Sequence, residues 1–336
     1  MAKVKAMNRN GTRDQQAEFF DENPPLYPWP SLLRAKGLSS AYKPREAMWK
    51  LALESAGLNH SHRMLDIGCA TGIWLDRLKS EFGIKGDGID VSTGSLRKAA
   101  VDSLHPTTYI CGDASSLPIA DGLYDFVLCL DVLEHISGQQ TALSEIARVL
   151  KPGGRVMLWT LNRKQDHTWN WWLSRFGIDI YDRSAHDPEL LPDADEVCEH
   201  LRTAGMQIEA IEFFNSFFTL AIDEIIMVTI SLLKKTGLFD SQLKISLALG
   251  QIYLAIADQL SRRSLKLLNF LDSPWRKKHH SNGFLVVGTK TIPLLRNTSE
   301  GSEVSARQKR EAFEYVAGHR FNTQKASAES LRGGIS

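Results

Sequence analysis

Residues 66–72, with the sequence DIGCATG, have the residue types of a loop that binds a nucleotide-type cofactor. Asp66 ends an apolar segment that we predict to be a strand, and a helix is predicted to begin at Ile73. Glycines allow a sharp turn and a close approach of the backbone to a ligand, and a helix N-terminus favours an anionic group. The dinucleotide fingerprint G-x-G-x-x-G would need glycines at positions 70 and 73, where the chain has Ala70 and Ile73. NAD and FAD are therefore disfavoured.

Three further aspartates follow predicted strands downstream of this loop. Asp90 ends the second strand, where a carboxylate can accept hydrogen bonds from both hydroxyls of a ribose. Asp113 follows the third strand and Asp131 the fourth. Each aspartate alone could be a turn residue at a strand end. The carboxyl ends of strands in an open α/β sheet meet at the ligand-binding edge, so the three together with the glycine turn indicate one site.

These residues are positioned by an alternation of short apolar strands with helices, which predicts a parallel sheet covered by helices. The predicted strands are 63–67, 86–91, 107–111, 124–130, 154–160, 207–213 and 283–288. The predicted helices between them are 73–81, 94–103, 140–150 and 194–204, and the turn residues KPGG at 151–154 are expected to close the third of these helices.

Residues 63–161 resemble the class I S-adenosyl-L-methionine (SAM)-dependent methyltransferases, in particular the group that includes ubiquinone and menaquinone biosynthesis methyltransferases. The matching segments are MLDIGCATG, GIDVS, GDASSLP, YDFVLCLDVLEHI and ALSEIARVLKPGGRVML. The resemblance implies an α/β fold, a Rossmann-like seven-stranded methyltransferase sheet with helices on both faces, here with a helical insertion before the last strand. It also implies SAM as the cofactor. Ala70 departs from the family, which usually has Gly there, and its methyl group is tolerable if the residue has ordinary backbone angles.

The resemblance also implies roles for individual residues. Asp66 and Gly68 would contact the methionine amino end of SAM, Asp90 the ribose, and Asp113 with Ala114 the adenine. Leu130 would offer its backbone near the sulfonium. The complete set of cofactor-binding candidates is Asp66, Gly68, Cys69, Ala70, Gly72, Asp90, Val91, Asp113, Ala114 and Leu130.

The segment after the fourth strand supplies the catalytic candidates, His135 and Asp131. Methyl transfer from a sulfonium is an in-line displacement in which the protein mainly aligns donor and acceptor. A general base helps when the nucleophile is a hydroxyl, and His135 is the first candidate for it; the alternative is that its turn only caps the pocket. In ubiquinone O-methyltransferases an acid-x-x-Glu-His pattern binds a divalent metal. Asp131, Glu134 and His135 fit that pattern in type, but we predict no metal.

The acceptor is expected to be a small, lipophilic molecule, because the loop 161–192 is rich in aromatic side chains near the ligand edge. Its candidates are His167, Trp169, Trp171, Trp172, Tyr181, His186 and Asp187. The alternative is that the tryptophans pack the loop onto its own domain. We predict O-methylation first, then C- or N-methylation of a quinone, lipid or natural-product scaffold, or a catalytically silent SAM-binding partner subunit.

The chain divides into five predicted parts. They are a helical lead-in (1–60), the SAM-binding core (61–213), a helical insertion (214–281), the last core strand (282–292) and a polar tail (293–336). The insertion has nine basic and five acidic residues among long apolar stretches, which suits contact with a membrane surface or a lipid-like substrate. A spanning helix is disfavoured because Asp223 and Glu224 interrupt the longest apolar run. A self-contained lid or a dimer contact is the alternative.

The composition limits the partners. The net charge of +1 provides no whole-chain basic field, so nucleic acid is not expected as a partner. The four cysteines show no metal-binding spacing, which favours a reduced cytoplasmic setting, with peripheral membrane contact through residues 214–281 as a further expectation. Composition does not predict an oligomeric state.

Overall fold

The structure, a computed structural model, describes residues 17, 18, 20, 21, 57–176, 188–221, 267 and 270–292. Its strands are β1 Arg63–Ile67, β2 Lys85–Asp90, β3 Thr108–Cys111, β4 Tyr124–Leu130, β5 Leu150–Leu161, β6 Met206–Phe214 and β7 Gly283–Lys290. Its helices are α1 Ile73–Phe82, α2 Thr93–Asp102, α3 Gln139–Val149, α4 Trp169–Arg175, α5 Ala194–Thr203 and α6 Ser273–Lys277, with 3₁₀ turns at Leu133–His135 and Pro188–Leu190.

All seven strands lie in one sheet, in the order β3-β2-β1-β4-β5-β7-β6. Strands β1 to β5 pair in parallel, whereas β7 runs antiparallel to both β5 and β6. The carboxyl ends of β1, β2 and β4 therefore meet at one edge of the sheet, next to each other. The predicted seven-stranded α/β fold is confirmed.

Helices cover both faces of the sheet, which explains why the central strands are apolar at consecutive positions. Val127 of β4 belongs to one buried cluster, together with side chains of α3 and α5 such as Ile146 and Leu201. The adjacent Leu128 belongs to a second cluster, with Leu75 of α1. Successive side chains of a strand point to opposite faces, so the two clusters are the two layers of the core.

The start of β5 differs from the prediction. Helix α3 ends at Val149, and the strand begins directly at Leu150, which pairs with Tyr124. The register then shifts before Arg155 pairs with Phe126, and Gly153 has a positive φ of 79°. The KPGG segment was expected to be a turn that closes the helix. It forms instead an irregularity within the strand.

The two ends of the predicted insertion lie side by side. Asn282, just before β7, donates its backbone N–H to the carbonyl of Asn215, just after β6. The buried carboxylate of Asp272 accepts hydrogen bonds from the backbone N–H groups of Phe217, Phe218 and Thr219. Residues 222–266 lie outside the described residues, so the helical character of the insertion stays a prediction.

The predicted lead-in and the predicted tail are described only in part or not at all. The lead-in is described only at residues 17, 18, 20 and 21, which are helical, and from residue 57 onward. The tail 293–336 lies outside the described residues. Within the part of the chain that is described, no helix combines the length and apolarity that a membrane crossing requires.

Candidate cofactor site

The glycine loop after β1 uses left-handed backbone conformations at alternate residues. Gly68 has φ 69°, Ala70 φ 46° and Gly72 φ 72°. A Cβ at Gly68 would overlap Cγ2 of Val132, so this position requires glycine for space as well as for conformation. Ordinary backbone angles, the condition under which the methyl group of Ala70 was expected to be tolerable, are therefore not met. A left-handed conformation costs an L-residue about 1–2 kcal/mol, so the loop keeps its shape here against local strain.

Asp66 lies at the base of this loop and is almost fully buried, with 3% of its surface exposed. Its Oδ2 has no hydrogen-bond partner among the described residues. Burial, with a smaller effect from the charge of Asp90, raises the pKa of Asp66 to about 8. A buried carboxylate oxygen without a partner at the ligand edge is suited to receive a cationic group such as an amino group.

Asp90 joins the glycine loop to the segment after β2. Its Oδ2 accepts a hydrogen bond from the backbone N–H of Ala70, and its Oδ1 accepts one from that of Ser92, both at 2.8 Å. Burial raises the pKa of Asp90, although these two hydrogen bonds act in the opposite direction. Each carboxylate oxygen has a further lone pair with which it can accept a ribose hydroxyl.

Asp113 shapes the turn after β3. Its Oδ1 accepts the backbone N–H of Ser115 at 2.7 Å, and the next residue, Ala114, is buried. Leu130 ends β4 and is half-buried, like Val91 after β2. The structure thus brings the strand-end candidates to one edge of the sheet, while their contacts with a cofactor stay predictions.

Cys69 supports the loop through packing. A Cβ at Gly88 of β2 would lie 2.7 Å from its Sγ, so the thiol occupies the space that this glycine leaves. Burial raises the pKa of the Cys69 thiol well above its ordinary value. The side chain therefore behaves as a small apolar group at the floor of the site.

The catalytic candidates lie in and before the 3₁₀ turn after β4. His135 is half-buried, and its ring meets the ring of Phe20 edge-on with the centroids 5.3 Å apart. Asp131 is exposed and has a positive φ of 53°.

Glu134, the middle member of the acid-x-x-Glu-His pattern, faces the protein interior. Its buried Oε2 accepts the hydroxyl of Thr160 at 2.8 Å. Burial, followed by the charge of Asp131, raises the pKa of Glu134 to about 8. Asp131 is exposed while Glu134 is buried. Among the described residues, no three His, Cys, Asp or Glu side chains are grouped so that they could hold a metal ion.

The aromatic loop after β5 packs against the ends of the insertion. Trp169 meets Phe217 edge-on at 5.6 Å, and Phe217 stacks on Trp275 at 5.6 Å. The indole N–H of Trp275 donates to the carbonyl of His167 at 2.8 Å. Part of this aromatic set is therefore structural. Tyr181, His186 and Asp187 lie outside the described residues.

Phe20, Asp21 and Ser92 also lie at this edge and were not predicted from the sequence. Asp21 accepts hydrogen bonds from the Ser92 hydroxyl and the Gly94 backbone N–H. Ser92 carries a signal that could have been recognised, since serine before a helix is a preferred N-cap. Asp21 carries none, because its partners are about 70 residues away.

Comparison with known proteins agrees with this geometry. Residues 65–158 match the model of a methyltransferase domain. The chain is 30% identical over 165 residues to the ubiquinone biosynthesis O-methyltransferase of Burkholderia thailandensis, a match that covers 46% of this chain and 69% of that protein. The chain belongs to the class I SAM-dependent methyltransferases.

Other comparisons support the fold of this methyltransferase. It is 28% identical over 179 residues to the ubiquinone biosynthesis O-methyltransferase of Bordetella avium, covering 50% of this chain and 73% of that protein. Among solved structures, it resembles a protein assigned as a sarcosine dimethylglycine methyltransferase from Galdieria sulphuraria (TM-score 0.51, 17% identity, 74% of this chain and 87% of that one). It also resembles the cyclase SpnF (TM-score 0.50, 19% identity, 86% and 99%). These structures establish the fold alone, and a cyclase among them illustrates that a fold does not fix a reaction.

The methyl donor of this methyltransferase is SAM, and the site fits it. The unpaired oxygen of Asp66 suits the amino group of the methionine part, and Gly68 lets the loop pass close to Val132, which follows β4. Asp90 retains acceptor capacity for the ribose. SAM supplies an electrophilic methyl group on a sulfonium, and the chain's own residues bind and orient the reactants.

Proposed function

We propose that the protein transfers the methyl group of SAM to a small lipophilic acceptor, preferentially at an oxygen atom. The observation that carries the proposal is the similarity of about half of the chain to proteins whose name specifies O-methylation in ubiquinone biosynthesis. The match to the methyltransferase-domain model, residues 65–158, includes the cofactor edge and the turn that follows β4. The acceptor of this chain is inferred from that similarity together with the character of its ligand edge.

The apolar character of the acceptor is supported by the aromatic residues near the carboxyl end of β5. Trp169, Phe217 and Trp275 form a continuous aromatic group there. Phe20 adds an aromatic side chain beside His135. Aromatic side chains near a ligand edge are typical of sites for apolar ligands, and this group also packs the loop onto the ends of the insertion.

His135 is the proposed general base for an acceptor hydroxyl. It lies in the turn after β4, at the edge where Asp66 and Asp90 are also found. Its imidazole would accept the hydroxyl proton as the oxygen attacks the methyl carbon. The exposed carboxylate of Asp131, in the same segment, would favour the imidazolium form that results.

A test uses methyl-labelled SAM and three acceptors that share a prenyl chain and differ in the group they offer: a catechol, an aniline, and a ring with only carbon positions free. We expect label on the catechol oxygen. Transfer confined to nitrogen or carbon would show that the preference for oxygen is wrong. Absence of transfer to any acceptor, with SAM bound, would favour the silent partner subunit.

The role of His135 is tested in the same assay with His135→Ala. We expect kcat to fall about 100-fold or more while the KM for SAM changes little, since loss of a general base affects the chemical step. His60→Ala is the matched control, because His60 is exposed and precedes β1 at the opposite edge of the sheet. Full turnover by His135→Ala would eliminate the role of base.

We also propose that the ends of the insertion contact an anionic membrane surface. Among the described residues of these ends, four large apolar side chains are exposed: Phe218 (36%), Leu267 (58%), Phe270 (72%) and Leu271 (38%). Three consecutive basic residues, 276–278, follow them in and directly after α6. Exposed apolar groups beside basic ones suit the boundary between headgroups and acyl chains of an anionic bilayer.

Vesicle flotation tests this contact. The full-length protein should float with phosphatidylcholine vesicles that contain phosphatidylglycerol, and less with phosphatidylcholine alone. Leu267→Ser with Phe270→Ser should reduce the floated fraction. Val101→Ser with Leu104→Ser is the matched control, since both side chains are exposed at the end of α2. Equal flotation of both double variants, or none of the wild type, would contradict the proposal.

A further inference from the structure

Asp21 is fastened to the segment that follows β2, although it lies about 70 residues earlier in the chain. Its Oδ1 accepts hydrogen bonds from the Ser92 hydroxyl at 2.6 Å and from the Gly94 backbone N–H at 2.8 Å. Its Oδ2 receives a longer one, at 3.4 Å, from the hydroxyl of Thr93. The bonds from Ser92 and Gly94 lower the pKa of Asp21, and the N-terminus of α2 favours the same negative charge.

Phe20, the residue before it, contacts the other side of the cofactor edge. Its ring meets the ring of His135 edge-on, with an interplanar angle of 81° and centroids 5.3 Å apart. His135 follows β4, whereas the partners of Asp21 follow β2. Two consecutive residues, Phe20 and Asp21, therefore contact two separate segments, one after β4 and one after β2.

The order of the strands places these two contacts on either side of the cofactor loop. β1 lies between β2 and β4 in the sheet, and the loop 68–72 follows β1. Neighbouring strands are about 4.8 Å apart, so the segments that follow β2 and β4 are separated by roughly 10 Å. Phe20 and Asp21 together contact the segments on both sides of β1.

Asp21 is also linked to the residue assigned to the ribose. The backbone N–H of Ser92 donates to Asp90, while the hydroxyl of the same serine donates to Asp21. The charge of Asp21 makes a small contribution to the raised pKa of Asp90. Ser92 is thus held in place by hydrogen bonds to both carboxylates, so its hydrogen bond to Asp21 helps to fix the position from which it binds Asp90.

We propose that Phe20 and Asp21 form a strap across the mouth of the SAM site, fastened by Asp21, and that opening of the strap controls release of the demethylated cofactor, S-adenosylhomocysteine (SAH). Asp21 is a positioning residue, which acts through Ser92 and Gly94. Phe20 closes the side of the site next to His135. The inference rests on SAM as the cofactor and is independent of the proposed acceptor.

The first test compares the SAH dissociation rates of the wild type and Asp21→Ala by stopped-flow fluorescence. We expect dissociation from the variant to be about tenfold faster, as for the loss of charge-assisted hydrogen bonds. Glu18→Ala is the control, because Glu18 is an exposed carboxylate of the same helical segment. A change of less than about threefold in Asp21→Ala, or an equal change in Glu18→Ala, would overturn the proposal.

A reversible lock distinguishes a strap from a purely structural contact. A Cβ at Gly94 would lie 3.5 Å from Cα and 3.4 Å from Cγ of Asp21, a separation that suits a disulfide between cysteines at both positions. The protein would carry Asp21→Cys and Gly94→Cys, with Cys111→Ser to remove the exposed thiol.

With the lock oxidised, SAH release should be at least about tenfold slower than after reduction of the same sample. The comparison within one protein removes differences in folding, so it decides the question even if Asp21→Ala is unstable. Equal release rates in the oxidised and reduced forms, with the disulfide verified by mass, would show that no strap controls the site.

Discussion

Burial favours the neutral form of the Asp66 carboxyl in the SAM-free protein, and this gives a pH dependence of stability. An unfolded aspartate ionises near 3.8, whereas burial raises the pKa of Asp66 to about 8 in the folded chain. A raised carboxyl pKa contributes stability that is fully present below the unfolded pKa and is lost as the pH rises to the folded one. The melting temperature without SAM should therefore fall between about pH 5 and about pH 8.

Asp66→Asn should reduce that fall, because the amide does not ionise. Some pH dependence should remain, since burial also raises the pKa of Glu134 to about 8. Differential scanning calorimetry without cofactor measures both curves, with Asp102→Asn, exposed at the end of α2, as the control. Parallel curves for Asp66→Asn and the wild type would contradict the assignment of the buried carboxyl.

Ala70 offers a second prediction at the scale of one residue. Its φ of 46° is strained for alanine and relaxed for glycine. Ala70→Gly should increase the free energy of unfolding by up to about 1 kcal/mol, measured by urea denaturation. Ala99→Gly, in the interior of α2, should decrease it by a similar amount or more. A loss of stability in Ala70→Gly would mean that the conformation of the loop is not strained.

The sequence allowed Asp66, Asp90 and Asp113 to be located because each lies at or just after the end of an apolar strand, which is a local signal. The burial of Glu134, beside the exposed Asp131, depends on how the turn after β4 meets Thr160 of β5. The contacts of Asp21 depend on residues brought together by the whole sheet. Local patterns carry no information on either, so these features required the structure.

At the scale of elements, β1 and β4 have the predicted bounds because continuous apolar runs define strands buried on both faces. β5 was predicted to begin four residues too late. Its first residues contain Pro152 and two glycines, which normally mark a turn, and only the pairing of Leu150 with Tyr124 extends the strand through them. Cross-strand pairing overrode local propensity there.

At the scale of elements, the prediction concerns Asp272, which joins the two ends of the insertion. Asp272→Ala removes the acceptor for three backbone N–H groups at the start of the helical segment that includes residues 218–221. The variant should lose about 2 kcal/mol or more of stability, and the amides of Phe218 and Thr219 should exchange hydrogen faster. Hydrogen exchange with mass spectrometry measures this directly.

Asp193→Ala is the matched control for that variant. Asp193 is also buried and caps α5, where it accepts the backbone N–H groups of Asp195 and Glu196. Its loss should also reduce stability but leave exchange at Phe218 and Thr219 unchanged. Equal exchange in both variants would contradict the view that Asp272 holds the two ends of the insertion together.

At the scale of the whole molecule, the parts differ in how well the sequence alone explains them. The core has a common fold, and its strand-end aspartates lie where that fold places a cofactor. The insertion between β6 and β7 and the lead-in lie outside residues 65–158, which match the methyltransferase-domain model. Their described residues, Phe270 and Asp21 among them, carry the proposals on membrane contact and cofactor release.

SAM binding at the edge formed by Asp66, Gly68 and Asp90 is the central property of the proposed site. Isothermal titration calorimetry of SAM into the wild type should show one site per chain. Binding to Asp90→Ala should be about tenfold weaker or more, while Asp102→Ala should bind like the wild type. Absence of binding to the wild type, or an unchanged affinity in a folded Asp90→Ala, would contradict the site.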